Sequence, residues 1–231
     1  MTSPAPPSLF AQTVAILRKD VRTELRTREV IVTLVFFSIL VAVLSSVAFF
    51  VDGPGMRRVA AGALWTTIPF AGVLGLVRVF AREREWDGWT ALVLSPADPV
   101  AIYLAKAAFV FLLLTAVELV LVPVVALLFG VSLGRFGGAL AILLALGTLG
   151  FSIVGALFGA LTVRTRARDL VLSVVLLPLL LPALLPAVMA TRDLFEGARL
   201  ADLAAWIRIL GVYDLVSLIC ALWIFPTLAD A

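Results

Sequence analysis

Glu118 is the ionisable residue that lies deepest inside an apolar run of this chain. It comes twelve residues after Lys106, which places its carboxyl about 18 Å into a bilayer if the run is helical. A carboxylate at that depth must be protonated or hydrogen-bonded, and it should face other helices. Pro123 follows five residues later, lacks a backbone donor and can kink the helix. The pattern favours a role for Glu118 in polar packing between helices. The alternative is that Glu118 transmits a conformational change or lies on the substrate path.

Residues for catalysis or metal binding are otherwise scarce. The chain has no histidine, which removes the commonest general base and metal ligand, and its single cysteine, Cys220, lies in an apolar run. A phosphate-binding loop requires a lysine in the pattern G-x-x-x-x-G-K-[ST], and neither Lys19 nor Lys106 has that context. We therefore predict no catalytic residues, no metal site, no cofactor bound by this chain and no ATPase activity of its own.

The composition is that of a membrane protein. Of 231 residues, 63% are hydrophobic and only 14% are charged, and the mean hydropathy is +1.16. A soluble fold of this length has too little interior to hide so much apolar surface. The net charge of +3 is mild, and the basic residues flank apolar runs instead of forming a stripe, which argues against nucleic-acid binding.

Six segments are long and apolar enough to cross a membrane as helices. The first is too long for a signal peptide, so we read it as an uncleaved membrane helix. With short connections between them, the six segments form one domain over residues 1–231. The predicted spans are 30–51, 59–77, 101–129, 136–163, 170–190 and 207–228.

The positive residues set the expected orientation. Twelve Lys and Arg lie in the N-terminal segment and in the connections around 78–106 and 164–168, against five in the other connections. Cytoplasmic loops carry the excess of positive charge. The N-terminus is therefore predicted inside, and an even number of spans puts the C-terminus inside too.

Residues 8–28 predict an amphipathic helix before the first span. Ser8 is a suitable N-cap, and five apolar residues from Phe10 to Leu25 recur at spacings of 4, 3, 4 and 4 on one helix face, with charged residues on the others. Such a helix is typical of the membrane interface, where its arginines meet anionic headgroups. A soluble helix packed on a partner is the alternative.

The connection between the second and third spans, 81–98, combines charges with exposed apolar residues. This mixture indicates either docking of a partner or a loop lying on its own bundle and the headgroups. Its candidate contact residues are Arg82, Glu83, Arg84, Glu85, Trp86, Asp87 and Trp89.

Prolines and glycines mark two further features. Pro178, Pro182 and Pro186 lie four apart on one face of the fifth span and predict a bent outer half, as a fixed kink or as a mobile gate. Gly155 and Gly159 in the fourth span allow close helix approach, within one chain or between two copies.

Three stretches together resemble the CcmB family, the membrane permease component of the haem-export ABC system of cytochrome c maturation. They are residues 19–29 (KDVRTELRTRE), the pair 61–65 (AGALW) and 70–75 (FAGVLG), and residues 78–106, which contain ARERE, LSP and AIYLAK. The order and spacing are family-like over nearly the whole chain. The aromatic stretch 86–89 (WDGW) departs from the pattern and leaves the contacts of the 81–98 loop open.

The resemblance implies an ABC permease-like bundle in the bacterial inner membrane. ATP would be hydrolysed by a separate cytoplasmic ATPase subunit (CcmA-like), whose cleft would receive the 81–98 segment as a coupling helix. A haem-handling membrane subunit (CcmC-like), a small single-span subunit (CcmD-like) and a second copy of this chain would complete the complex. Haem would be the substrate; a non-transporting membrane scaffold for the haem-handling complex is the alternative.

Overall fold

The computed structural model describes residues 7–49, 55–85, 97–163 and 174–230, without the side chains of 83–85, 163 and 228–230. Seven α-helices occupy almost all of these residues, and no strand occurs among them. They are α1 (Leu9–Thr27), α2 (Glu29–Ala48), α3 (Gly55–Glu85), α4 (Pro99–Phe129), α5 (Leu133–Val163), α6 (Leu176–Glu196) and α7 (Ala204–Asp230), with a 3₁₀ turn at Leu200–Leu203 before α7.

The six helices α2 to α7 are each long and apolar enough to span a membrane, which confirms the all-α membrane fold predicted from the sequence. The central helix is α5, which packs on α3, α4, α6 and α7. Helices α2 and α7 lie at the periphery, where Phe36 and Trp223 are 77% and 81% exposed. Large apolar side chains in such positions are those that lipid covers in a membrane protein.

Several helix ends differ from the predicted spans. α3 continues through the charged residues to Glu85, so the first part of the predicted 81–98 loop is helical. Arg and Glu are good helix formers, and nothing in their backbone requires a stop at the end of the apolar run. α6 runs to Glu196, six residues past the predicted end at 190, and closes on Gly197 in the left-handed conformation.

The three prolines of α6 lie nearer the described start of the helix than the predicted span implies. Pro178, Pro182 and Pro186 are the third, seventh and eleventh of the 21 residues of α6, so they lie between its first turn and its middle. Proline is tolerated in a first helical turn, where the backbone N–H groups lack intrahelical partners. The bend in the outer half of the span, as a fixed kink or as a mobile gate, stays a prediction.

Glycines let α3 and α5 approach closely. A Cβ on Gly159 would collide with the buried ring of Phe80, and a Cβ on Gly155 would lie 2.8 Å from Leu76 Cδ1. The same packing occurs in the reverse direction, with a glycine of α3 against a ring of α5: a Cβ on Gly72 would collide with the Phe151 ring. We call these glycine contacts the α3–α5 interlock. The space beside Gly155 and Gly159 is therefore filled by α3 of the same chain, which leaves no room there for a helix of a second copy.

A single residue turns the chain from α1 into α2. Arg28 has φ 54° and ψ 14°, the left-handed conformation, and is the C-cap of α1 and the N-cap of α2 at once. Its N–H donates to the Glu24 carbonyl. As predicted, Ser8 caps the other end of α1, with its side chain accepting from the Ala11 N–H at 3.3 Å.

Replacement of Gly159 by alanine tests the α3–α5 interlock. We expect Gly159→Ala to destabilise the protein by about 1–3 kcal/mol, because the added methyl collides with Phe80, a ring that is only 1% exposed. The control is Gly211→Ala in α7, where the added Cβ meets nothing within 4 Å. Thermal unfolding in detergent measures both; an equal or higher melting temperature for Gly159→Ala would contradict the packing.

Candidate functional site

Two buried carboxylates of α1 join the helices at one end of the bundle, which we call the α1 end. Asp20 and Glu24 are one turn apart, and 7% and 5% exposed respectively. The predicted helix places its charged residues toward water and headgroups. The structure instead turns these two acids inward, onto the bundle.

Asp20 pairs with Lys106 of α4. The Lys106 Nζ donates to Asp20 Oδ2 at 2.8 Å, and Lys106 is only 2% exposed. The exposed Lys19 lies 3.2 Å from the other oxygen of Asp20. Since an isolated buried charge is very costly, each partner of the Asp20–Lys106 pair requires the other in place.

Glu24 connects three helices through one carboxylate. Its Oε1 accepts from the Ile31 N–H at 2.9 Å, and its Oε2 accepts from Arg82 Nη1 at 3.2 Å. Ile31 is the third residue of α2, where the N–H has no partner in its own helix and where the helix dipole favours a negative charge. Arg82 lies near the end of α3 and also approaches Glu29 at 3.6 Å.

Gln12 of α1 holds the start of α4. The Asp98 N–H donates to Gln12 Oε1 at 2.8 Å, and the Asp98 side chain caps α4 by accepting from the Val100 N–H at 2.8 Å. The 83–97 connection is therefore attached to α1 on both sides. Arg82 binds α1 just before the connection, and Asp98 and Lys106 bind α1 after it.

The predicted contact residues of this connection are only partly described. Arg82 binds α1 as given above. Glu83, Arg84 and Glu85 form the last residues of α3, for which the backbone alone is described. Trp86, Asp87 and Trp89 lie outside the described residues.

Glu118 lies buried at the contact between α4 and α5. It is 5% exposed, and its Oε1 accepts a hydrogen bond from the Thr148 hydroxyl. The contact is what polar packing between helices requires. α4 continues as a helix through Pro123 to Phe129.

A second carboxylate, Asp214, lies inside the bundle and deeper along its helix than the predicted span 207–228 implies. It is the eleventh residue of α7, about 15 Å along that helix, and 5% exposed. Neither carboxylate oxygen has a hydrogen-bond partner within the described ranges. Gly150 makes room for it, since a Cβ there would lie 2.5 Å from Asp214 Oδ1. The signal in the sequence that could have identified this site is an acidic residue within an otherwise apolar run.

Glu118 and Asp214 contact the same stretch of α5, through Thr148 and Gly150. Positions two apart on a helix point in nearly opposite directions, so the two acids lie on different sides of α5. Within the residues that the structure describes, no three His, Cys, Asp or Glu side chains come together as metal ligands.

Comparison with known proteins decides the family. The chain matches the family described as CcmB protein over residues 11–229. The chain belongs to the CcmB family. It is also 29% identical over 158 residues to the heme exporter protein B of Haemophilus influenzae (strain ATCC 51907 / DSM 11121 / KW20 / Rd), an alignment that covers 68% of this chain and 71% of that protein.

The CcmB match includes nearly all of α1 as well as all six spans. The helix that carries Asp20 and Glu24 is thus part of the family region and not an appendage to it. The resemblance described from the sequence is confirmed at the level of the family.

Replacement of Lys106 tests the buried pair in this CcmB-family chain. We expect Lys106→Met to destabilise the protein by about 3–5 kcal/mol, because Asp20 is then buried without its partner. The double variant Lys106→Met/Asp20→Leu should recover most of the loss, since an apolar replacement of both partners removes the unpaired charge.

Lys19→Met is the matched control, because Lys19 contacts the same carboxylate from an exposed position, 51% exposed. An exposed ion pair contributes up to about 1 kcal/mol, so its melting temperature should change little. Thermal unfolding of the purified protein compares the three variants. Equal effects of Lys106→Met and Lys19→Met would show that burial of the pair is unimportant.

Proposed function

We propose that this chain is the membrane subunit of an ABC transporter complex that exports or delivers haem for c-type cytochrome biogenesis. The support is its CcmB membership over residues 11–229, together with the relative named heme exporter protein B. In this proposal the chain lies in the bacterial inner membrane with both termini in the cytoplasm. The excess of positive residues at the α1 end supports that orientation.

ATP is hydrolysed by a separate cytoplasmic ATPase subunit (CcmA-like) in the proposed complex, because this sequence contains no phosphate-binding loop. A haem-handling membrane subunit (CcmC-like) holds the haem, since the chain lacks histidine, the usual protein ligand of haem iron. A small single-span subunit (CcmD-like) and a second copy of this chain complete the assembly.

The 81–98 segment is the proposed contact with the ATPase. α3 has 31 residues, about 46 Å, so it extends beyond the roughly 30 Å hydrocarbon core. Its end is bound to α1 through Arg82 and Glu24, and the start of α4 is bound to α1 through Asp98 and Gln12. A displacement of the segment by the ATPase therefore moves the two helix ends together with α1.

Coupling then reaches the bundle through α3. Close packing at Gly72, Gly155 and Gly159 joins α3 to α5, so a tilt of α3 is passed to the central helix. The alternative of a passive scaffold predicts no such dependence, and a complex that works fully with an ATPase-inactive partner would favour it.

Neutralisation of the acidic residues in the segment tests the proposed docking. Glu83→Gln/Glu85→Gln/Asp87→Asn should lower co-purification of the ATPase subunit, or its stimulated ATPase rate, by about tenfold if the three charges contribute roughly 1.4 kcal/mol. The control replaces as many acids elsewhere, Asp52→Asn/Glu196→Gln/Asp202→Asn. Unchanged co-purification and unchanged ATPase stimulation in the first variant would refute the docking.

Glu118→Gln separates packing from participation in haem delivery. An amide oxygen can still accept from Thr148, so we expect a melting temperature close to that of the native protein and full maturation of c-type cytochromes. Measurement of haem-stained cytochromes in cells that carry only the variant provides the readout. Loss of maturation with unchanged melting would place Glu118 on the transmission or substrate path.

A further inference from the structure

A cleft of about 780 Å³ opens at the α1 end, between α1 and the ends of α2, α3 and α4. Its volume is within the range of small-molecule sites, about 300–1,000 Å³. Six cationic side chains line it against two carboxylates, Asp20 and Glu29. The cations are Lys19, Arg22, Arg26, Arg78, Arg82 and Lys106.

The cations of the cleft fall into two groups. Four of them already pair with a carboxylate, so their charge is compensated. Lys106 and Lys19 pair with Asp20, Arg82 pairs with Glu24, and Arg78 lies 4.0 Å from Glu29. Arg22 and Arg26 lie one turn apart on α1, and neither makes an ion pair with a carboxylate within the described ranges. The cleft therefore has an excess of positive charge, and these two arginines supply it.

Apolar side chains close the rest of the cleft. Val30, Val79 and Phe109 are lining residues, and all three are buried. Val30 is the second residue of α2 and faces inward, and the outer side of the same helix carries the exposed Val32 and Phe36 just beyond the cleft. A ligand that fits must thus combine an anionic group for the arginines with an apolar part that continues along α2.

We propose that the cleft binds the headgroup of an anionic phospholipid, with the phosphate between Arg22 and Arg26 and the acyl chains along α2. Arginine binds phosphate oxygens through two parallel N–H groups, and basic pockets between membrane helices are typical sites for anionic headgroups. α1 supports the placement, since Phe10 and Leu25 are 76% and 68% exposed, as in a helix that lies in the membrane interface. The proposal does not depend on haem export or on coupling to an ATPase.

The test uses the full-length chain, purified and delipidated in detergent, and native mass spectrometry to count bound lipids. The probe is dioleoylphosphatidylglycerol, with dioleoylphosphatidylcholine as the neutral lipid. We expect the anionic lipid to bind more tightly than the neutral one. Arg22→Gln/Arg26→Gln should raise the dissociation constant of the anionic lipid roughly 30-fold, from the contribution of two arginines.

The matched control removes two positive charges elsewhere, with Arg18→Gln on the same helix and Arg57→Gln at the start of α3. Both residues are exposed and outside the cleft, so the control should bind phosphatidylglycerol as the native chain does. None of the four positions is buried, and unchanged melting temperatures will establish that every variant is folded.

Three results would overturn the proposal. One is equal binding of the two lipids, and another is equal weakening by the cleft and control variants. The third uses haemin, whose propionates are also anionic. If Arg22→Gln/Arg26→Gln weakens haemin binding and leaves phosphatidylglycerol binding unchanged, the cleft is a porphyrin site and not a lipid site.

Discussion

The requirement that a buried charge has a partner determines how the α1 end of this protein is built. Asp20 and Glu24 are removed from water on one face of α1, and their compensation comes from Lys106 on α4 and from Arg82 on α3. The carboxylate of Glu24 additionally satisfies the start of α2. α1 is thus held in one position by charge pairing as well as by apolar contact, and the ends of three membrane helices are held with it.

The interior of the bundle depends on a different constraint, the close approach of α3 and α5. Without a hydrophobic force between helices in lipid, contact area is gained where small residues let large ones insert. Phe80 fits at Gly159, and Phe151 fits at Gly72 in the reverse direction. α3 takes part in both the charge pairing at the α1 end and the glycine packing. Its C-terminal end is bound to α1, and the rest of the helix packs closely on the central helix α5. This continuity is the physical basis for the coupling proposed above.

Sequence reasoning recovers the features that depend on local composition. The six spans and the cap at Ser8 follow from apolar runs and from helix start signals, and the family follows from short motifs in order. It fails where the deciding partner is distant in the chain. Asp20 reads as a charged residue on a solvated face because nothing near it in sequence reveals Lys106.

The same reason explains the remaining differences. A glycine pattern shows that a close approach exists but not which helix makes it, so the sequence leaves Gly155 and Gly159 open between contacts within one chain and contacts between two. Positions within a span shift with its assumed start, so the α6 prolines lie nearer the described start of their helix, and Asp214 farther along its helix, than the predicted spans imply. Residue types at these sites indicate their chemistry correctly, but they do not reveal their three-dimensional neighbours.

The distance along the chain between Asp20 and its partner also sets an order of assembly. Lys106 is made 86 residues later, so α1 leaves the ribosome long before the helix on which it packs. Until α4 is inserted, Asp20 must stay hydrated, and so must Glu24 until Arg82 arrives. Docking of the first helix on α4 is therefore a late event in biogenesis, and a chain truncated before residue 106 leaves Asp20 without its buried partner.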